Sequence, residues 1–277
     1  MHFSGLCIIS LFALANTFSI SNRILTLYKK TGETSIENLE PLLEDKPNSK
    51  LIVSTPGGLF GFYFMGVSTY IKENYNLSEY VFSGASAGGW NSLFLSLNES
   101  PKPFIDELLK TNLKSIKSIL QLEKRMKSVI LKNYKDESFD LDKLYLGVTV
   151  LDKSEIKLCI YNDFNDLEDA VDCCIASSHI PFITGGAFNI YRNKFSFDGG
   201  FYSYPYLNVT TPSLIIAPDI WSENRTNVPI SNNVTVINCN FDNLININKF
   251  PMNLTSLYLA GYQDSEKNKK YLDAIFL

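Results

Sequence analysis

Residues 80–97 read Tyr80-Val81-Phe82-Ser83-Gly84-Ala85-Ser86-Ala87-Gly88-Gly89-Trp90-Asn91-Ser92-Leu93-Phe94-Leu95-Ser96-Leu97. The opening run, Tyr80–Ser83, has the length and apolar character of a short buried strand, and Trp90–Leu97 continues as an apolar helical run. Between them lie six small residues, room for a sharp strand-to-helix turn. Ser86 sits at the centre of Gly84-x-Ser86-x-Gly88. Such a turn lifts a serine hydroxyl clear of the backbone, and it needs glycine on both sides because a Cβ there would clash. The plainer alternative is a small-residue helix start with Ser86 as its cap.

A second strand-turn-helix lies upstream. Lys50-Leu51-Ile52-Val53-Ser54 runs into Thr55-Pro56-Gly57-Gly58, and a helical pattern covers residues 60–74. Further strands are expected at 145–151, 156–161, 213–217 and 234–238, with helical stretches over 104–135, 167–177 and 254–276. Strands alternating with helices indicate an α/β layered sheet. The 277 residues are 45% hydrophobic and 19% charged, which excludes a disordered or collagen-like chain and is enough for a full core. No Pro/Ser-rich linker or charge block divides them, so residues 50–277 read as one domain, with 16–49 as an N-terminal extension. A net charge of −4 lacks the global cationic excess of a nucleic-acid binder.

Phe3–Ala15 is an apolar run of signal-peptide length ending in Ala13-Leu14-Ala15, a small-x-small cleavage pattern. Residues 1–15 therefore read as a signal peptide or signal anchor, and the protein as secreted or membrane-associated through the secretory pathway. The n-region has no Lys or Arg, and the alternative is an apolar terminal element packed on the domain. Cleavage after Ala15 leaves Cys159, Cys173, Cys174 and Cys239; a bond between the adjacent pair would be strained, so buried free thiols are expected. Sequons begin at Asn76, Asn98, Asn208, Asn224, Asn233 and Asn253, weak support for export in a chain rich in Asn.

A serine nucleophile needs a base, and the chain holds only two histidines, His2 and His179. His179 precedes the late acidic residues and no histidine follows it, so a Ser-then-acid-then-His triad built on a late acid cannot be assembled in its usual order. Any serine chemistry must use a carboxylate directly. Asp198, in Lys194-Phe195-Ser196-Phe197-Asp198-Gly199-Gly200, is the best placed: Gly199 and Gly200 permit a tight turn and close approach by another backbone. A plain Asp-Gly turn is the bland reading. The glycine turn at Pro56-Gly57-Gly58-Leu59-Phe60-Gly61 precedes a helix, where free N–H groups and the helix dipole suit an oxyanion or a phosphate. Neither G-x-G-x-x-G nor a P-loop is present, and no Cys/His cluster or acidic loop suggests a metal, so no cofactor is expected.

Taken in order, the glycine loop, the G-x-S-x-G serine and the Asp-Gly-Gly aspartate resemble the patatin-like phospholipase family. Ala176-Ser177-Ser178-His179-Ile180-Pro181-Phe182 is similar to the family's Ala-Ser-x-x-x-Pro segment. Gly58–Tyr63 with Gly66-Val67 resembles the adipose-lipase-type branch, and Gly261-Tyr262-Gln263-Asp264 is similar to the family's closing helix. The resemblance covers residues 50–277 and implies a three-layer α/β fold with a central mixed, largely parallel sheet flanked by helices. It implies a metal-independent lipid acyl hydrolase, of phospholipase A, lysophospholipase or acylglycerol lipase type. Ser86 is then the nucleophile and Asp198 the general base. Gly57 and Gly58 form the oxyanion hole with a contribution from Gly61, and His179 is structural. Two departures stand out: Pro56 replaces the first glycine of the Gly-rich triplet, and Phe201-Tyr202-Ser203-Tyr204-Pro205 lacks the Asn that often follows Asp-Gly-Gly. They leave two alternatives open, a weak or silent lipid-binding relative and a soluble esterase or acyltransferase.

Residues 107–135 carry Lys110, Lys114, Lys117, Lys124, Arg125, Lys127, Lys132 and Lys135 against Glu107 and Glu123. As one helix, all but Lys127 would share an arc of about 100°, a face able to lie on an anionic membrane. The alternatives are a solvated outer face or a stretch broken into two helices. The expected partner is membrane lipid or another lipid ester, not nucleic acid.

Overall fold

Leu51–Ser54 is buried on both faces, the pattern of a strand flanked by two others in a covered sheet. This strand, β1 (Lys50–Ser54), leads through a 3-10 turn at Gly58–Phe60 into α1 (Gly61–Asn74). There follow β2 (Tyr80–Gly84), α2 (Ala87–Leu95), α3 (Lys102–Lys110), α4 (Ile119–Asn133), β3 (Leu144–Asp152), β4 (Glu155–Tyr161) and α5 (Leu167–Ser177). The hairpin β5 (Asn189–Tyr191) and β6 (Lys194–Phe197), a 3-10 turn at Gly199–Phe201, β7 (Leu214–Ile216), α6 (Leu254–Lys267) and α7 (Lys269–Phe276) complete the elements. The computed structural model describes residues 49–110, 116–153, 155–202, 204–207, 211–221 and 253–277. The expected leader at 1–15, the extension up to residue 48 and the strand at 234–238 lie outside the described residues.

The strands form one sheet in the order β5-β6-β3-β2-β1-β7, with β4 also paired to β3. β7, β1, β2 and β3 are mutually parallel, while β4 and β6 run against β3. The fold is thus α/β, with a mixed, largely parallel sheet flanked by helices. Partners across strands and residues two apart share a face. One face carries Ile52, Phe82, Leu144, Leu146, Val148 and Val150, buried under Phe64, Val67 and Ile71 of α1, Leu93 of α2 and Val171 and Cys174 of α5. The other carries Leu51, Val53, Val81 and Tyr145, packed with Tyr206 and Leu207. Cys159, Cys173 and Cys174 are free, and burial holds the last two thiols well above the ordinary thiol range.

Two expected helices prove to be pairs. Over 104–135, α3 ends at Lys110 and residues 116–118 are non-helical. There Ser118, with extended backbone, begins α4 by accepting a hydrogen bond from the Gln121 N–H at 3.3 Å. The single helix that would align the cationic arc therefore does not form, and acids answer several cations of the stretch. Lys127 pairs with Asp172 at 2.5 Å and Glu168 at 2.9 Å, Lys132 with Glu107 at 3.2 Å, and Lys110 with Asp106 at 3.7 Å. Over 254–276 the break falls at Asn268. Among the described residues no helix is long and apolar enough to cross a membrane.

Helices α1 and α6 cross with their backbones in contact. A Cβ built on Gly66 would stand 2.0 Å from the Tyr258 carbonyl oxygen, and one on Gly261 would stand 2.0 Å from that of Tyr63. Either glycine changed to alanine must drive the helices apart. Gly66→Ala is expected to lower unfolding stability by about 2–4 kcal/mol, read from the midpoint of urea denaturation.

Candidate active site

β3 pairs β4 over Leu146–Asp152, a span that overlaps the pairings of both β2 and β6, so β2 and β6 both occupy its other edge. β2 takes Leu144–Leu146 and β6 takes Thr149–Leu151. They run in opposite directions, and their C-terminal ends meet across Gly147 and Val148. Ser86 emerges from the end of β2 and Asp198 from the end of β6.

Ser86 has φ +54° and ψ −128°, a left-handed conformation that costs a side-chain-bearing residue about 1–3 kcal/mol. The turn is too tight for bulk on either side. A Cβ on Gly84 would lie 2.3 Å from the Gly88 carbonyl oxygen, and one on Gly88 would lie 1.9 Å from that of Ser54. Both motif glycines are therefore packing requirements of the bend, while the Ser86 N–H donates to Ser177 Oγ at 2.8 Å.

The Ser86 hydroxyl donates to Asp198 Oδ2 at 2.7 Å, with no imidazole between them. Asp198 is held from four sides: Oδ1 accepts from the Gly200 N–H at 2.7 Å, and the Asp198 N–H donates to the His179 carbonyl at 2.7 Å. Thr149 Oγ1 donates to the Asp198 carbonyl at 2.9 Å, completing the clamp. Gly199 allows the turn to press into the strand end, since a Cβ there would meet the Gly147 carbonyl oxygen at 2.3 Å and Ala85 Cβ at 2.6 Å. Both Ser86 and Asp198 are buried. Burial raises the Asp198 carboxyl to about 6, against the opposing pull of its hydrogen bonds from Ser86 and Gly200. At neutral pH it is ionised and a better base than a solvated aspartate.

In the glycine loop, the N–H groups of Gly57 and Gly58 have no partner among the described residues. Gly58 has φ +54°, a conformation that favours glycine. Pro56 braces the loop: its ring lies within 3.0 Å of where a Gly200 Cβ would stand, so the ring packs beside the turn that holds Asp198. Gly61 differs from the expectation. Its N–H is spent on the Gly58 carbonyl, and its carbonyl accepts from Asn91 Nδ2 at 3.0 Å. It joins α1 to α2 instead of offering a donor. A donor the sequence reading missed is the Ala87 N–H, unpartnered among the described residues; its signal was its place directly after the serine.

His179 is buried, with its ring beside Phe197 and its Nδ1 3.5 Å from Thr184 Oγ1. It makes no hydrogen bond to Ser86; its contribution is the backbone carbonyl that fixes Asp198. Glu123 is buried in α4, Oε1 has no hydrogen-bond partner, and burial together with the negative charge of Asp198 raises its carboxyl to about 9. Sequence reading counted it among the charges of a basic helix, because nothing local marks a helical Glu as core. Among the described residues no cluster of His, Cys, Asp and Glu is arranged to hold a metal. A serine against a buried carboxylate, beside uncommitted backbone donors, can carry out acyl transfer.

Comparison with known families matches residues 56–207 to the patatin-like phospholipase family. That span is more than half of the 277 residues, and the chain belongs to this family of lipid acyl hydrolases. No curated protein matches it.

Both raised carboxyls bind protons more tightly in the folded than in the unfolded chain. Each therefore favours folding at low pH, and that contribution is lost as pH rises from about 4 toward about 6 for Asp198 and about 9 for Glu123. For Asp198 the loss is about 3 kcal/mol at neutral pH. Asp198→Asn and Glu123→Gln are expected to raise Tm relative to the parent more at pH 8 than at pH 4, by scanning calorimetry.

Proposed function

We propose that the protein hydrolyses carboxylic esters of membrane glycerolipids through a Ser86–Asp198 dyad and an acyl-enzyme. The observation that carries this reading is the direct 2.7 Å hydrogen bond from Ser86 to a buried, raised-pKa Asp198. In the first half-reaction Asp198 takes the hydroxyl proton as Ser86 Oγ attacks the ester carbonyl carbon. The N–H groups of Gly57, Gly58 and Ala87 receive the developing oxyanion, at the positive end of α2. Collapse expels the alcohol, protonated by Asp198, and leaves the acyl group on Ser86. Asp198 then deprotonates water as it attacks the acyl carbonyl; collapse breaks the bond from the acyl carbon to Ser86 Oγ, Asp198 returns the proton to that oxygen, and the fatty acid leaves. No step requires a metal or cofactor. Gly58–Tyr63 and Gly66-Val67 support assignment to the adipose-lipase-type branch. The apolar run at 3–15 supports export, and cleavage after Ala15 is expected to leave a mature chain that begins at Asn16, which mass spectrometry of the secreted protein would check.

Fatty-acid release from phospholipid vesicles, measured in EDTA, is the test. Ser86→Ala and Asp198→Asn are each expected to reduce the rate at least about 10³-fold while the protein remains folded. Release that survives Asp198→Asn would overturn the dyad. Since the base must be ionised, kcat/KM is expected to rise with pH through an apparent pKa of about 6. Gly58→Ala, which forces a side chain onto the left-handed position of the oxyanion loop, is expected to cost about 10–100-fold in kcat.

A further inference from the structure

Five large apolar side chains stand in water on β4, β5, β6 and the loop between α5 and β5: Phe182 (68% exposed), Ile190 (66%), Phe188 (61%), Phe195 (42%) and Ile156 (37%). Strand pairing joins three of them into one row. Ile190 is opposite Phe195, Phe195 opposite Leu151, and Leu151 opposite Ile156. These four therefore share one face of β5, β6, β3 and β4, and Phe188 extends the row by packing on Phe195 at a ring separation of 5.1 Å. The opposite face, with Val150 and Ser196, is buried toward α5. β3 continues six residues beyond Leu146, the level at which β2 ends, so the row projects past the end of β2 from which Ser86 emerges. Phe182 comes from the loop after α5, whose Ser177 holds the Ser86 N–H. Its backbone is left-handed, φ +64°, and is tied by a hydrogen bond from its N–H to the Gly186 carbonyl at 3.1 Å. A bulky aromatic in that conformation is an outlier, and here it holds a ring out in solvent.

We infer that this surface, and not the basic stretch at 107–135, is where the protein seats itself on a lipid surface, by inserting Phe182, Phe188 and Ile190 among the lipids beside Ser86. The inference rests on the hydrolase reading for its substrate. Its choice of occupant comes from size and charge. The five side chains expose on the order of 500 Å², less than the roughly 800 Å² per partner of a stable protein interface. That is enough for shallow interfacial insertion of a few side chains. Three cations of these strands and the β5–β6 turn are neutralised locally: Lys194 pairs with Asp152 at 3.4 Å, Lys157 with Glu155 at 3.3 Å, and Arg192 with Asp163 at 2.7 Å and Asp169 at 2.6 Å. Docking is therefore apolar, suited to zwitterionic lipid and only weakly sensitive to salt.

The test uses the full chain with phosphatidylcholine vesicles and compares the parent with Phe182→Ser/Phe188→Ser/Ile190→Ser. Vesicle co-flotation and fatty-acid release are expected to fall at least about tenfold. Hydrolysis of a water-soluble short-chain ester should stay within about twofold, because no altered residue touches the dyad. Parent binding should change less than about threefold between 0.05 and 0.5 M NaCl. Unchanged flotation of the triple variant overturns the inference. So does equal loss on the soluble ester, which would mean a disturbed site, or a parent dimer that the substitutions convert to monomer, which would make a second copy the occupant. Phe188→Trp gives an independent reading: its fluorescence shifts to the blue on vesicle addition if the side chain enters lipid, and no shift counts against insertion. Flotation and fluorescence need no turnover, so failure of the hydrolase reading would show separately, as absent release with binding intact.

Discussion

Along one edge of β3, β2 and β6 approach each other end to end, and neither can continue without running into the other. Both chains must leave the sheet within the two residues, Gly147 and Val148, that separate their last pairings. They leave carrying Ser86 and Asp198, so a serine hydroxyl and a carboxylate 112 positions apart in sequence come within hydrogen-bond distance. The neighbouring chain is shaped to the same junction. Gly147 carries no side chain because the Pro205 carbonyl oxygen passes 1.7 Å from where its Cβ would be, and its own carbonyl accepts from Ser177 Oγ at 2.6 Å. Ser177 in turn holds the Ser86 N–H, so β3, α5 and the serine turn are locked together.

This arrangement opposes stability in two places. Ser86 is held in a conformation that side chains avoid, and Asp198 is charged at neutral pH where little water reaches it. Neither would persist on an isolated turn. The packing of Gly88 against β1 leaves the backbone at Ser86 no relaxed alternative, and hydrogen bonds from Ser86 and Gly200 answer the Asp198 charge. The same burial sets the carboxyl near 6, low enough to be ionised and high enough to take a proton. Glu123 has burial without such partners, and it stays protonated.

Local chemistry was a good guide wherever an element is decided by its own residues. The expected strand at 50–54 and helix at 167–177 coincide with β1 and α5, because a buried β-branched run and an Asp166-capped amphipathic run each carry their own boundaries. It was a poor guide over 104–135, where the spacing of lysines suits a continuous helix but Ser118 starts a new one. Glu168 and Asp172 of α5 then meet Lys127, and no pattern within the segment encodes those partners. Gly61 shows the same limit: a glycine after Gly57 and Gly58 reads as part of one loop, but its N–H had already closed the 3-10 turn.

By itself, the sequence determined the α/β class, the strand-serine-helix turn with its obligatory glycines, and a chain with one histidine after residue 2 and none after residue 179. Those follow from short-range sterics and from which residue types are present. Only the tertiary structure decided that Asp198 lies within hydrogen-bond distance of Ser86, that the Gly61 N–H is taken up in the 3-10 turn, that Glu123 is core, and that one row of apolar side chains stands exposed across β4, β6 and β5. Each depends on which strands share an edge of β3, and pairing between distant segments is set by the fit of the whole core.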